Sequence, residues 1–97
     1  MQKDKIISVE IDNTGRLYIQ PEKSNFSLVS RTATGVHWDK DKLTLYAQRP
    51  REWTYLEWFI HIVSVIKTEC FTELELTETT EWVNIPDELK HEIRKVY

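Results

Sequence analysis

The chain has 97 residues, of which 40% are hydrophobic, and carries thirteen Lys and Arg against sixteen Asp and Glu for a net charge of −3. This length supports one hydrophobic core and excludes a second, so residues 1–97 are read as a single domain. Two glycines and three prolines exclude a long flexible linker, and one cysteine excludes a disulfide framework or a cysteine-based zinc site.

Lys5 to Ile11 alternates Ile7, Val9 and Ile11 on one face with Ser8 and Glu10 on the other, the period of a half-buried strand. No apolar run there is long enough for a secretory signal, so a cytoplasmic protein is expected, and the lone Cys70 suits that reducing compartment. Asp12-Asn13-Thr14-Gly15 reads as a turn, because Asn and Gly tolerate positive φ. Arg16 to Gln20 follows as the second strand of a hairpin, stopped by Pro21. Phe26 to Thr34 has no clear period; a strand is the preferred reading and a short helical turn the alternative. Asn25-Phe26-Ser27 spells a glycosylation acceptor, a chance match without a secretory signal. Gly35 to Trp38 and Leu43 to Ala47 flank the polar Asp39-Lys40-Asp41-Lys42 loop as a second hairpin, with Val36 and Trp38 facing away from His37 and Asp39.

The clearest element comes next. Thr54 and Glu57 have the spacing of a capping box, so a helix is predicted to start at Tyr55 and run to Cys70, with Trp53 and Trp58 placed as a hydrophobic staple. Glu57, His61, Ser64 and Lys67 or Thr68 make one narrow polar stripe; the remaining residues are apolar, which makes this a central core helix with neighbours on more than one side. Its charged residues and length exclude a transmembrane span. Glu73 to Thr77 then alternates as a strand with Leu74 and Leu76 inward, and Glu78 to Val83 is read as irregular. A last helix is capped by Asn84 with Pro86 in its first turn and Ile85, Leu89, Ile93 and Val96 along one stripe. The sum is an α+β fold: a mostly antiparallel sheet of about five strands packed by one long central helix, plus a short C-terminal helix.

Charge is unevenly spread. Residues 1–51 hold nine Lys and Arg against six Asp and Glu, a balance of +3, whereas residues 52–97 hold four against ten, a balance of −6. An acidic second half repels nucleic acid and anionic membrane and attracts a basic partner. The basic residues of the first half, interleaved with Trp38 and Tyr46, are too few for a nucleic-acid footprint.

No catalytic pattern emerges. His37 and Asp39 project from one strand face, which more simply reads as solvated surface. His61 and Cys70 lie on nearly opposite sides of the helix, and Val65 supplies no metal ligand at i+4 from His61, so no metal site and no cofactor are expected. Two isolated glycines cannot form a phosphate loop, and Asp39-Lys40-Asp41 lacks the glycine and closing glutamate of a calcium loop. Glu73, Glu75, Glu78 and Glu81, with Trp58 and Trp82 as aromatic anchors, are the candidate partner-binding residues.

The runs RLYIQPEK, GVHWD, RPREWTYLEW and LTETTEWVNIP together resemble small bacterial proteins of two overlapping kinds. One is the compact α+β proteins encoded on mobile integron gene cassettes; the other is the immunity proteins that neutralise polymorphic toxins by covering their active sites. The resemblance implies a bacterial cytoplasmic protein without catalysis and transfers no residue role. The leading expectation is a non-catalytic protein-binding module, an immunity or inhibitor type engaging a basic protein through its acidic second half, or else a homodimer. The alternative is a small-ligand binder or enzyme with a pocket between the long helix and the sheet, near His37, Trp38 and Tyr46.

Overall fold

A computed structural model describes residues 1–97. In chain order its elements are β1 (Gln2–Ile11), β2 (Leu17–Pro21), β3 (His37–Asp39), β4 (Thr44–Ala47), α1 (Tyr55–Cys70), β5 (Thr72–Glu75), β6 (Glu81–Val83) and α2 (Asp87–Val96), with one 3₁₀ turn at Val29–Arg31. The expected α+β class holds. The sheet runs β3-β4-β2-β1-β5, and β6 shares the edge of β1 with β5.

The sheet is mixed. The pairs β1–β2, β2–β4 and β3–β4 are antiparallel, as the two hairpin patterns require. Parallel to β1 lie β5, beside Gln2–Lys5, and β6, beside Ser8–Glu10. The stretch around Trp82, read from the sequence as irregular, is therefore a strand whose backbone groups are satisfied by residues more than seventy positions earlier. A buried hydrogen bond of 2.7 Å from the Thr80 hydroxyl to the Ile6 carbonyl fixes the turn that leads into it.

Strand alternation is broken at one place with a clear physical cause. Between Ile6 and Ser8 the register with β2 slips by one residue, a β-bulge. Asp4, Ile6 and Val9 consequently face inward, while Ile7, expected inside, is turned out with 36% exposure. Asp4 is an inward carboxylate that accepts from the backbone N–H groups of Lys5, Lys23 and Ser24, tying β1 to the segment after β2. Burial on its own would raise its pKa, but these N–H donors outweigh it and hold the group below its ordinary value.

Phe26 to Thr34 holds the 3₁₀ turn at Val29–Arg31, the alternative reading, rather than the preferred strand. The Val29 N–H bonds to the Phe26 carbonyl, and the N–H groups of Thr32 and Ala33 both bond to the Val29 carbonyl, so the backbone is satisfied locally. Phe26, Val29, Ala33 and Val36 all face the core.

The predicted bounds of α1 are those observed. Thr54 Oγ1 accepts from the Glu57 N–H at 3.1 Å, and Glu57 Oε1 accepts from the Thr54 N–H at 3.0 Å, completing the capping box. Phe59, Ile62, Val63 and Ile66 are buried against Val9, Leu17, Ile19 and Leu45 of the sheet. Each such side chain contributes about 1.5–3 kcal/mol by leaving water. Helix α2 adds Ile93 to the same core, and the Tyr97 ring meets Phe59 edge-on at 5.4 Å. Asn84 does not cap α2: it sits in a left-handed turn at φ 55°, and Pro86 occupies the position before Asp87 without a side-chain cap. Both helices thus cover one face of the sheet, and no helix covers the other, where Tyr18 and Thr44 are nonetheless buried.

Candidate functional site

A concavity of about 870 Å³ opens between α1 from Trp58 to Glu69, the 32–35 segment and the 48–53 connection. Its apolar wall follows from how α1 begins. The staple brings Trp53 against Trp58 with ring centroids 4.9 Å apart, and His61, one turn beyond Trp58, meets both indoles edge-on at 5.1 and 5.5 Å. Gly35 passes directly beneath this wall at φ +82°. A Cβ there would lie 2.7 Å from Trp58 Cη2, so a close backbone approach and a left-handed conformation both require glycine. On the opposite side, the Arg49 stem packs over Gly15, and the Tyr55 hydroxyl donates to the Gly15 carbonyl at 2.8 Å. The 48–53 connection and the first turn of α1 are therefore each held to the first hairpin at Gly15.

The charges around the cleft are balanced: Arg49 and Arg51 against Glu52 and Glu69. Trp53 and Trp58 touch, so they form a continuous wall and leave no gap in which a cation could be caged between them. His61 is flanked by indoles, which cannot orient it as a general base. Burial, and then the Glu69 charge, push the Cys70 thiol above its ordinary value, leaving it a poor nucleophile at neutral pH. No group of three or more His, Cys, Asp or Glu side chains converges as metal ligands. No helix is long and apolar enough to cross a membrane. What the site offers is aromatic contact area, two guanidinium groups and two carboxylates.

The open sheet face is different in kind. Cross-strand register lines up Glu10, Tyr18, Tyr46 and His37, with Tyr46 stacked on His37 at 5.1 Å and tilted against Tyr18 at 5.6 Å. Arg16 lies 5.0 Å over the Tyr46 ring and Lys42 4.7 Å over the Tyr18 ring, so the aromatic faces already have cationic partners. His37 and Asp39 share this face, as their spacing requires, while Asp39 accepts from the Asp41 and Lys42 N–H groups of its own turn. Trp38 faces the opposite way, edge-on to Phe26 at 5.9 Å. The expected pocket around His37, Trp38 and Tyr46 does not form, because strand alternation sends Trp38 to the other side of the sheet from its two neighbours.

The six candidate partner-binding residues are likewise divided. Glu73 and Glu75 alternate with the core residue Leu74 and face outward level with Lys3 and Lys5; Lys3 Nζ is 3.5 Å from Glu75 Oε1. Glu81, level with Ser8, shares that outer face, and Glu78 is exposed in the turn before β6. Trp82, level with Val9, turns toward the helices beneath Lys90 Nζ, 5.6 Å from its ring, while Trp58 lines the cleft. Alternation thus puts the strand carboxylates on one face of the sheet and the Trp82 indole on the other, while Trp58 is placed by α1. Trp53, His61, Arg49 and Arg51 were absent from the candidate set. The staple and the three-residue step from Trp58 to His61 were the signals that group Trp53 and His61 with Trp58.

Residues 4–80 match the family described as Integron Cassette Protein Hfx_Cass5. A solved structure of that description, from the mobile metagenome of North West Arm Sewage Outfall, is 35% identical with a TM-score of 0.51; the match covers 98% of this chain and 95% of that one. A search of the curated proteins found no match. On the family match and on this identity over nearly the full length of both chains, the protein belongs to the integron cassette protein Hfx_Cass5 family.

Proposed function

We propose that this protein is a non-catalytic binding module of the cytoplasm that engages a partner protein through the cleft beside α1. Trp53 carries this reading: it is 43% exposed yet held in place against Trp58 and His61, in the lining of the cleft. An ordered, exposed indole beside arginines is the composition of an interface anchor point. An inhibitor of the immunity kind is the form of partner binding that the sequence resemblance implies. With two arginines and two glutamates around it, the cleft does not require a strongly basic partner.

A second reading, a small-ligand binder, is favoured by the cleft volume of about 870 Å³, which falls within the ~300–1,000 Å³ typical of small-molecule sites. Both readings share one test. Indole, added as a stand-in for an aromatic anchor, should shift the ¹H–¹⁵N resonances of the Trp53 and Trp58 side chains, and Trp53→Ala should abolish the response. Shifts confined to Tyr46, His37 or the Glu73 and Glu75 strand would move the recognition surface to the open sheet face and overturn the cleft.

A further inference from the structure

Resting on the cleft as the recognition site, we propose that its occupant is an extended peptide segment of the partner protein, lying along α1 with an acidic residue at the Arg51 end and a basic residue at the Glu69 end. A second concavity of about 460 Å³ lies beyond the first, between the 24–29 segment and the C-terminal end of α1. The two share Thr32 and Glu69 in their walls, so they adjoin there, and the first alone follows α1 from Trp58 to Glu69. A helix of this length is on the order of 24 Å long, which about seven or eight extended residues span. A compact ligand would fill only part of that length.

Both concavities expose an apolar anchor point: Trp53 at 43% in the first and Leu28 at 60% in the second. Thr34 lines the first, and Gln2 and Asn25 the second, offering the side-chain hydrogen-bonding groups that an extended backbone needs. Charge sets the direction. Arg49 and Arg51 face the single Glu52 at the Trp53 end, whereas Glu69 stands at the junction and no Lys or Arg lines the second concavity. Complementarity therefore favours a segment that runs from acidic to basic over about six or seven positions.

The test is selection of random peptides of about nine residues displayed against the full chain, followed by fluorescence polarisation with the selected sequences. Selected peptides should carry an acidic residue, an aromatic or large apolar residue, and a Lys or Arg at that spacing. Trp53→Ala and Glu69→Lys should each weaken binding at least about tenfold. Changing the peptide's basic residue to Glu should restore binding to Glu69→Lys, an effect that misfolding cannot mimic. Equal affinity for a four-residue fragment, or indifference to Glu69→Lys, would overturn the extended occupant. If no peptide is selected while indole still perturbs Trp53 and Trp58, the extension falls and the cleft stands. Silence from both probes removes both.

Discussion

Gly35 and Phe71 show how single backbone positions shape the site. Gly35→Ala would impose a left-handed conformation on a Cβ-bearing residue and press that Cβ into Trp58. A loss of about 1–3 kcal/mol is expected in urea unfolding, with a changed tryptophan emission as the aromatic wall is displaced. Phe71 is the reverse case: it ends α1 at φ 54° with its side chain 69% exposed, a conformation that glycine adopts without strain. Phe71→Gly should raise stability by about 0.5–1 kcal/mol. A measured loss would mean that the exposed ring packs against something in the folded state. Asp4→Asn should cost about 1–3 kcal/mol near neutral pH, because an amide offers one acceptor oxygen where three backbone N–H groups converge. Since the folded carboxyl lies below its ordinary value of 3.8, its contribution is present above that value and is lost as pH falls through the folded one. Urea melts from about pH 5 to about pH 2 should show the gap between wild type and Asp4→Asn closing as the acid rises.

At the level of elements, what was legible in the sequence is what is determined locally. The start of α1 could be placed because Thr54, Glu57, Trp53 and Trp58 lie within six residues and satisfy one another; Thr54→Ala should cost about 1 kcal/mol, read as a lower thermal midpoint. The two hairpins were legible for the same reason, their turn residues being adjacent to the strands they join. The 81–83 strand was not, since its partner is Ser8–Glu10 and nothing in Glu81-Trp82-Val83 alone announces a parallel neighbour. Thr80 marks that docking: Thr80→Val removes the donor to the buried Ile6 carbonyl and should destabilise by about 1–3 kcal/mol, and a near-neutral result would show that the carbonyl finds another donor. In the 26–34 stretch the spacing of Phe26, Val29 and Ala33 was itself helical, and the abundance of Ser and Thr masked it.

Across the whole molecule, the expectation of a single acidic and aromatic patch failed because composition along the chain does not say which side of a sheet a residue takes. Glu73 and Glu75 are bound to the sheet of Lys3 and Lys5, so the −6 of the second half is partly met by the first where the two ends pair. The Lys3–Glu75 pair is well exposed, with side chains 67% and 44% accessible, and pairs of that kind contribute little. A double Glu73→Lys, Glu75→Lys variant should lose no more than about 1 kcal/mol and leave indole binding in the cleft unchanged. The cleft itself was out of reach because its three walls come from residues 32–35, 48–53 and α1, brought together only by the complete fold.

The double use of one edge of β1 also sets a timetable for birth of the protein. Sixty-two positions separate Glu10 from Thr72, and a ribosome adding ~5–20 residues per second leaves that edge bare for roughly 3–12 s. Throughout that interval the outward charges of Lys3 and Lys5 discourage a neighbouring nascent chain from zipping onto the vacancy before its own late strands arrive.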